Sequence, residues 1–389
     1  MHRNIWLLGL VSLLMDISSE MVYPLMPLFL VGALGATPAI VGWIEGIAES
    51  LASLLRVYAG AWSDYFNRRK PLAIAGYGLS GLSRIMLAFA GSWMGVLFVR
   101  VFDRFGKGIR SAPRDALLAE SASPEERGKA FGLHKMMDSF GAVIGVLLAY
   151  LLVTLYLGVS ADWSSIFLWA AVPALGSVVM LSWVKESGKK GDGKCPKPVL
   201  FSPVAAWRAL NAKTRWFLIF IFLFSLGNSS NVFLLLKAQQ LGMTTTDILL
   251  LYLCYNVVLT LVAYPAGRLS DRFGRRVWLV GGYFTYAVVY LGLSFTQSVA
   301  WLWVWFAVYG LYSGLTGGVE KAFLADEIPP DQKATAFGLY HTLVGLGLLP
   351  ASVLAGWLWS TWGSSAAFGV GAALGLAAAV GIGFVTRDG

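Results

Sequence analysis

The sequence has little charge and few side chains that bind metals or form disulfides. Only 13% of its 389 residues are Asp, Glu, Lys or Arg, whereas soluble domains carry about 25%. Its two cysteines and three histidines lack the spacing of a disulfide framework or a His/Cys metal site. The phosphate-binding pattern G-x-x-x-x-G-K-[ST] is missing, and no nucleophile–base arrangement stands out. These absences argue against an enzyme, a nucleotide-driven pump, and a resident metal or cofactor.

What is abundant is apolar sequence. Hydrophobic residues make up 57% of the chain, 16 residues are Trp, and the mean hydropathy is +0.67. Long apolar runs with this composition indicate a helical membrane protein that crosses the bilayer many times. The net charge of +9 is spread over short alternating loops, without a basic tail, and therefore does not indicate a nucleic-acid partner.

Twelve apolar segments are long enough to cross a bilayer core of about 30 Å. We place them near 5–33, 38–61, 71–91, 94–118, 129–156, 164–184, 215–239, 246–267, 277–296, 299–324, 334–359 and 363–385. The predicted fold is an all-α membrane protein with twelve transmembrane helices in two pseudo-symmetric six-helix bundles.

The loops predict the orientation of the chain. Lys and Arg occur in the loops at 67–70, 120–129, 185–198, 268–276 and 326–333, and not in the loops between them. By the positive-inside rule, the basic loops and both termini are cytoplasmic. We therefore expect an integral protein of the inner or plasma membrane.

A Gly-, Lys- and Pro-rich stretch at 185–198 reads as a linker between two halves. The predicted domains are an N-terminal bundle at 1–184, a linker at 185–213 and a C-terminal bundle at 214–389. GAWSDYFNRRK from Gly60 matches GRLSDRFGRRV from Gly267, and AESASPEERGKAFGL from Ala119 matches ADEIPPDQKATAFGL from Ala325. Two matches at nearly the same offset predict a parallel duplication.

The fourth span carries an unusual row of charges. Three- and four-residue steps place them on one broad helical face: Arg100, Asp103, Arg104, Lys107, Arg110 and Arg114. A charge at the bilayer centre costs at least about 2.5–3.5 kcal/mol, so these groups must face water or one another.

Carboxylates in other spans could load and release a proton when they alternate between an arginine partner and a wet cavity. The candidates for proton coupling are Asp16, Glu20, Glu45, Glu49 and Asp138. Pairing with arginines as purely structural contacts is the alternative, although a buried ion pair seldom offsets its own desolvation.

Polar and basic groups at membrane depth are the candidates for substrate binding. They are Tyr23, Arg84, Arg100, Arg104, Lys107, Arg110, Asn228, Asn231, Tyr255, Asn256, Glu320 and Lys321. The arginines offer forked donors that match carboxylate or phosphate. Because charge is concentrated in the first six spans, we expect ion coupling there and a mainly cavity-lining role for the other six.

The repeated loop carries a resemblance to a known family. A Gly, an Asp four residues later and a basic cluster follow the second span of each half, as in the major facilitator superfamily of secondary transporters. The matching residues are Gly60, Asp64, Arg68, Arg69 and Lys70, and Gly267, Asp271, Arg275 and Arg276. The resemblance covers the whole chain and implies that these residues latch one conformation.

A second motif of that family lies on the fourth span. Arg104, Lys107 and Gly108 resemble it, which implies a role for Arg104 in proton coupling. The Gly-Pro pair found in the fifth span of many drug–proton antiporters is replaced by DSFGAVIGV. Gly141 and Gly145 within it are spaced for close helix contact.

Together these features predict a secondary active transporter. We expect a monomer that moves a small organic solute with an anionic group by proton-coupled alternating access. The alternatives are a proton-driven drug or cation efflux pump, a metal-chelate transporter and a lipid-handling membrane protein.

Overall fold

The computed structural model describes residues 3–66, 69–121, 127–157, 163–186, 207–208, 210–320, 323–324 and 333–385. Within these ranges all regular secondary structure is helical. The first half of the chain forms α1 (Arg3–Val22), α2 (Pro38–Phe66), α3 (Arg69–Ala88), α4 (Trp93–Glu120), α5 (Arg127–Leu152) and α6 (Trp163–Ser182).

Helix α1 is extended by irregular helical turns. A 3₁₀ turn at Tyr23–Leu25, a short helix at Met26–Leu28 and a π turn at Phe29–Ala33 follow it. Pro24 and Pro27 remove two backbone donors here, which breaks the regular α-helical pattern. The whole stretch Arg3–Ala33 nevertheless forms one candidate span of 31 residues.

The second half forms a broken helix and five continuous ones. They are α7a (Ala212–Gly227), α7b (Val232–Gln240), α8 (Thr245–Phe273), α9 (Arg275–Phe295), α10 (Val299–Thr316), α11 (Lys333–Trp362) and α12 (Ser364–Val385). Asn211 caps α7a by accepting from the Thr214 N–H at 2.7 Å, and Thr244 caps α8.

Two predicted spans contain an interruption of the helix. The seventh is broken between Gly227 and Val232, because Asn and Ser side chains compete for backbone hydrogen bonds and favour turns. In the tenth, α10 ends at Thr316 and a turn follows at Gly317 and Gly318, after which residues 319–320 and 323–324 are again helical. Glycine is a poor helix former, so it favours an interruption at this point.

The number of spans agrees with the prediction. Ten helical stretches of the described ranges are long and apolar enough to cross a membrane. Helices α3 and α4, which carry the charged residues of the third and fourth spans, complete the twelve. The twelve-helix architecture is therefore confirmed.

The described residues fall into two compact units. The first takes them from Met1–Gly35 and Leu51–Leu200, and the second from Ala36–Ser50 and Phe201–Gly389. In the first unit, α1 packs on α5 and α6, and α3 packs on α4 and α6. In the second, α7a packs on α11 and α12, and α9 packs on α10 and α12. The same pairings recur six spans later, as expected of a parallel duplication.

The first part of α2 belongs to the second unit, where it packs closely on α11. A Cβ on Gly46 would lie 3.0 Å from the Leu349 carbonyl oxygen, and the Ser50 hydroxyl donates to the Gly345 carbonyl at 2.7 Å. The domain limits at 184 and 214 remain a prediction, since residues 187–206 lie outside the described ranges.

Candidate functional site

A group of buried charged side chains lies where α3 and α4 pack in the first unit. We call it the arginine cluster, and it consists of Arg84, Arg100, Asp103, Arg104 and Arg110. Each of the five residues is at most 6% exposed. Arg84 comes from α3 and the other four come from α4, so the charged face predicted for the fourth span is turned towards the protein interior.

Two glycines bring α3 and α4 close enough for the arginine cluster to form. A Cβ on Gly106 would lie 2.7 Å from the carbonyl oxygen of Gly76, and a Cβ on Gly76 would lie 2.6 Å from the carbonyl oxygen of Gly106. Any larger residue would push the two backbones apart. This close approach allows Arg84 of α3 to reach Asp103 of α4.

Asp103 is the carboxylate of this cluster. Its Oδ1 lies 3.4 Å from Arg84 Nη2 and accepts from the Ser83 hydroxyl at 3.3 Å. Its Oδ2 lies 3.8 Å from Arg104 Nη1. Asp103 therefore faces two guanidinium groups from two helices and offsets part of the positive charge.

The same arginine of α3 also connects the cluster to α1. Arg84 Nε donates to the Ser18 hydroxyl oxygen at 3.3 Å, and Nη2 donates to that of Ser19 at 3.2 Å. Ser18 and Ser19, which lie between Asp16 and Glu20 in the sequence of α1, thus hold the guanidinium of Arg84.

Arg110 has a different environment. Its guanidinium carbon lies 4.3 Å from the centroid of the Tyr77 ring, a ring that is fully buried. Among the described residues, its buried Nη1 has no hydrogen-bond acceptor. A cation held by an aromatic face retains donors that an anionic oxygen could accept from.

A second polar group lies between α1 and α5, and we call it the carboxyl pair: Asp16 and Asp138. The two side chains lie within interaction range of each other. Asp138 Oδ1 also accepts from the Ser12 hydroxyl at 2.8 Å, and Oδ2 lies 2.9 Å from Lys135 Nζ. Glu20 and Lys107 are within electrostatic range of Asp16.

Gly141 and Gly145 of α5 allow this helix to approach α1 closely beside the carboxyl pair. A Cβ on Gly141 would lie 2.6 Å from the Leu13 carbonyl oxygen and 3.2 Å from Asp16 Cβ. A Cβ on Gly145 would lie 3.0 Å from Glu20 Cβ. The predicted close contact through these small residues is confirmed, and it sets α5 directly against the acidic segment of α1.

Further charged groups lie one turn away from the pair. Arg114 bonds to its neighbour Asp115 at 2.8 Å, and its Nη1 donates to the Ser12 hydroxyl oxygen at 3.5 Å. His134 is 7% exposed and within electrostatic range of both Arg114 and Asp138. The contact between Arg114 and Ser12 connects α4 to α1.

In the second unit, the break in the seventh span gathers polar side chains. Tyr286 donates to the Gly227 carbonyl oxygen at 2.8 Å, so it satisfies an acceptor at the end of α7a. Tyr309 donates to Asn231 Oδ1 at 2.8 Å. Asn228 Oδ1 is buried and has no donor among the described residues.

Glu45 also lies beside this break. It comes from the part of α2 that belongs to the second unit, it is fully buried, and its Oε2 accepts from the Ser230 hydroxyl at 3.4 Å. Glu49, one turn further along α2, is partly buried. The break thus combines a carboxylate with hydroxyl and amide groups.

Among the described residues, the other candidates for substrate binding make separate contacts and do not form one group. Tyr255 stacks on Tyr309 with ring centroids 5.3 Å apart. Asn256 donates to the Tyr252 carbonyl oxygen of its own helix at 2.9 Å. Glu320 accepts from the Tyr340 hydroxyl at 2.6 Å, whereas Lys321 lies outside the described residues. Tyr23 is partly buried in the 3₁₀ turn after α1.

Only part of the predicted latch is described. The Arg69 backbone N–H donates to Glu186 Oε1 at 2.7 Å, and Arg275 Nη1 donates to the Ser270 hydroxyl oxygen at 2.7 Å. Arg276 is exposed. Arg68 and the side chains of Asp64 and Asp271 lie outside the described part of the structure, as does the environment of Gly60. A Cβ on Gly267 would meet no atom of the described residues within 4 Å. The latch stays a prediction.

Several side chains that complete these sites were not among the candidates chosen from the sequence. Asp103 was seen on the charged face but was not selected, although a single carboxylate among arginines is the natural counter-charge. Ser18 and Ser19 were visible as polar residues in an apolar helix. Nothing in the sequence pairs Tyr77 with Arg110, because that contact depends on how α3 and α4 pack.

The described residues contain no group of three or more His, Cys, Asp and Glu side chains arranged to hold a metal ion. Buried arginines, carboxyl groups and a broken membrane helix are features typical of membrane transport proteins. Comparisons with known proteins agree with this class.

The sequence profile of the Major Facilitator Superfamily matches residues 8–236 and 215–388. An MFS-type transporter of Methanocaldococcus jannaschii is 35% identical over 92% of this chain and 89% of its own length. The fosmidomycin resistance protein of Escherichia coli is 26% identical over 90% of this chain and 85% of its own. The chain therefore belongs to the Major Facilitator Superfamily.

Solved structures agree with this assignment. The crystal structure of the nucleoside transporter NupG superposes with a TM-score of 0.80, covering 100% of this chain and 100% of NupG. The identity is only 11%, so the similarity concerns the fold alone. Family and fold are those of integral membrane transporters.

Proposed function

We propose that this transporter moves a small organic solute with an anionic group across the cytoplasmic membrane, coupled to protons. The observation that carries the proposal is the arginine cluster. Four buried guanidinium groups lie on two packed helices, and Arg110 keeps a buried donor without an acceptor among the described residues. Guanidinium groups match carboxylate and phosphate in geometry as well as charge.

The carboxyl pair supports the coupling part of the proposal. Two neighbouring carboxyl groups repel each other when both are ionised, and a hydrogen bond between them would need a proton, because an ionised carboxylate only accepts. Asp138 also has Lys135 and Ser12 as partners, so it can keep a negative charge when Asp16 holds the proton. A proton bound at Asp16 would be released when the pair separates.

In this mechanism the two halves alternate access to the solute, and the Gly-Asp-basic loops latch one of the conformations. Arg104, beside Asp103 in the arginine cluster, would link solute binding to the proton. We further propose that the protein works as a monomer with both termini in the cytoplasm, as the positive-inside pattern predicts.

A ligand screen with matched charge tests the solute class. Purified protein is mixed with solutes offered in three forms on one scaffold: a carboxylate, its neutral amide and an amine. We expect the carboxylate form of at least one scaffold to raise the thermal unfolding midpoint. A ligand at 100 times its dissociation constant stabilises by about 2.7 kcal/mol.

The variant Arg110→Gln should lose this stabilisation, because the amide lacks both the charge and the forked donors. Arg3→Gln is the matched control, since Arg3 is exposed at the start of α1 and should leave the shift unchanged. The proposal would be overturned if a neutral or amine form raised the unfolding midpoint as much as the carboxylate and if Arg110→Gln left that shift unchanged.

Export of a drug-like compound is the second candidate function. The name of the Escherichia coli relative, the fosmidomycin resistance protein, favours it. Cationic drugs would use Asp16 and Glu20 as counter-charges, so the same screen separates the two candidates by the sign of the charge that stabilises the protein.

A further inference from the structure

A groove on the membrane-facing side of the second unit has a basic residue at one end. It runs between α9 and α12 and has a volume of about 630 Å³. Its walls are apolar: Val277, Phe284, Leu376 and Val380 are all 46–67% exposed. Within a bilayer such a surface is covered by lipid chains or by another helix.

Glycines form the floor of the groove. Gly281 on α9 and Gly383 on α12 both line it. A Cβ on Gly281 would meet no atom within 4 Å, and a Cβ on Gly383 would come no closer than 3.6 Å to a Val280 methyl group. The missing side chains therefore leave space that none of the described residues fills, unlike glycines that permit close helix packing.

Positive charge is concentrated at the end of the groove where α9 begins. Arg276 lines the groove and is exposed, while its neighbour Arg275 is turned towards Ser270. Gly274 precedes the helix and offers no side-chain cap, so the first N–H groups of α9 add to the positive potential. A phosphate group fits such a helix start.

The length of the groove suits one leaflet. From Arg276 to Phe284 the helix rises about 12 Å at 1.5 Å per residue, which is somewhat less than half of a hydrocarbon core of about 30 Å. Arg276 belongs to the basic segment 268–276, which the positive-inside pattern predicts to lie at the cytoplasmic surface, where anionic lipids interact with basic side chains.

We propose that this groove binds one anionic phospholipid, with an acyl chain over Gly281 and Gly383 and the headgroup phosphate at Arg276 and the start of α9. The two parts are chemically independent. The apolar groove holds the chain, and the positive end selects the charge of the headgroup. A second copy of the chain would need an apolar ridge to fill the groove, and Arg276 would not contribute to its binding.

Native mass spectrometry of the delipidated full-length protein tests this site. Phosphatidylglycerol and phosphatidylcholine are added separately at rising concentration, and the adduct with one lipid is followed. We expect phosphatidylglycerol to bind at about fivefold lower concentration, the effect of one basic side chain near the headgroup. Arg276→Gln should bring the two lipids within about twofold.

Filling the groove should remove the adduct of both lipids. Gly281→Leu and Gly383→Leu each place a side chain in the space for the acyl chain, so one of them suffices if the other fails to fold. Gly78→Leu is the matched control, because a Cβ on Gly78 of α3 also meets no atom within 4 Å. It should bind lipid as the parent does.

Three results would overturn the proposal. Equal binding of the two lipids to the parent protein would contradict the headgroup site. Unchanged adducts in both groove-filling variants would place the lipid elsewhere. A dimer mass that the groove-filling variants abolish would assign the groove to a second copy instead.

Discussion

At the scale of single residues, Asp103 decides whether the arginine cluster is stable. Its side chain is 3% exposed and lies near guanidinium groups of Arg84 and Arg104. Such a cluster is poor at stabilising a fold, since buried ion pairs rarely gain more than their desolvation costs. Its presence therefore favours a role in function, and the carboxylate limits the repulsion that this role requires.

Asp103→Asn should strongly destabilise the protein. Removing one member of a buried pair leaves uncompensated charge and costs about 3–5 kcal/mol, which thermal or denaturant unfolding in detergent would register. Asp115→Asn on the same helix is the control, because Asp115 is 47% exposed in its pair with Arg114. A partly exposed pair contributes about 0–1 kcal/mol.

An Asp103→Asn variant as stable as Asp115→Asn would contradict the proposed role of Asp103. It would mean that other groups neutralise the cluster. The double change Asp103→Leu with Arg84→Met provides a further check, because it removes both charges and should recover part of the lost stability.

At the scale of helices, the contact between α1 and α5 determines where the carboxyl pair forms. The backbones approach through Gly141 and Gly145, and Asp16 and Glu20 lie on the α1 surface that these glycines touch. The approach of Asp16 to Asp138 thus depends on a packing contact one turn away.

Gly141→Ala should separate the two helices. The new Cβ would lie 2.6 Å from the Leu13 carbonyl oxygen, and overpacking of this kind costs about 1–3 kcal/mol. We expect a lower unfolding midpoint together with weaker proton coupling. Gly78→Ala is the control, and it should gain up to about 1 kcal/mol from helix propensity. Equal midpoints for the two variants would show that α1 and α5 tolerate the separation.

Helices were predictable from the sequence to different degrees. Apolar length alone located the twelve spans, including the charged spans α3 and α4. The break between α7a and α7b was not predicted, since Asn228–Asn231 are neutral and lie within an otherwise apolar run. Its stability comes from Tyr286 and Tyr309, which reach it from other helices.

The sequence indicated which residues belong to the sites, but it did not show which of them contact one another. Helical spacing placed the arginines of α4 on one face. It could not show that Arg84 bonds to Asp103, or that Tyr77 lies under Arg110, because those contacts depend on how α3 packs against α4. Glu45 was assigned by sequence to the N-terminal half, yet it belongs to the compact unit that contains the break.

At the scale of the whole molecule, duplication produced two halves with the same helix pairings and different chemistry. The first unit contains the arginine cluster and the carboxyl pair. The second contains a tyrosine-rich break, with Tyr286 and Tyr290 stacked 4.1 Å apart. This asymmetry supports the proposal that proton coupling resides in the first six spans.

The central claim is that movement of an anionic solute is coupled to protons, and flux in proteoliposomes tests it most directly. The pH gradient and the voltage are imposed independently, with the solute chosen by the charge-matched screen. We predict that flux follows the pH gradient at zero voltage, and that Asp16→Asn abolishes this dependence but retains solute exchange. Flux that ignores the pH gradient in the parent protein would contradict the account.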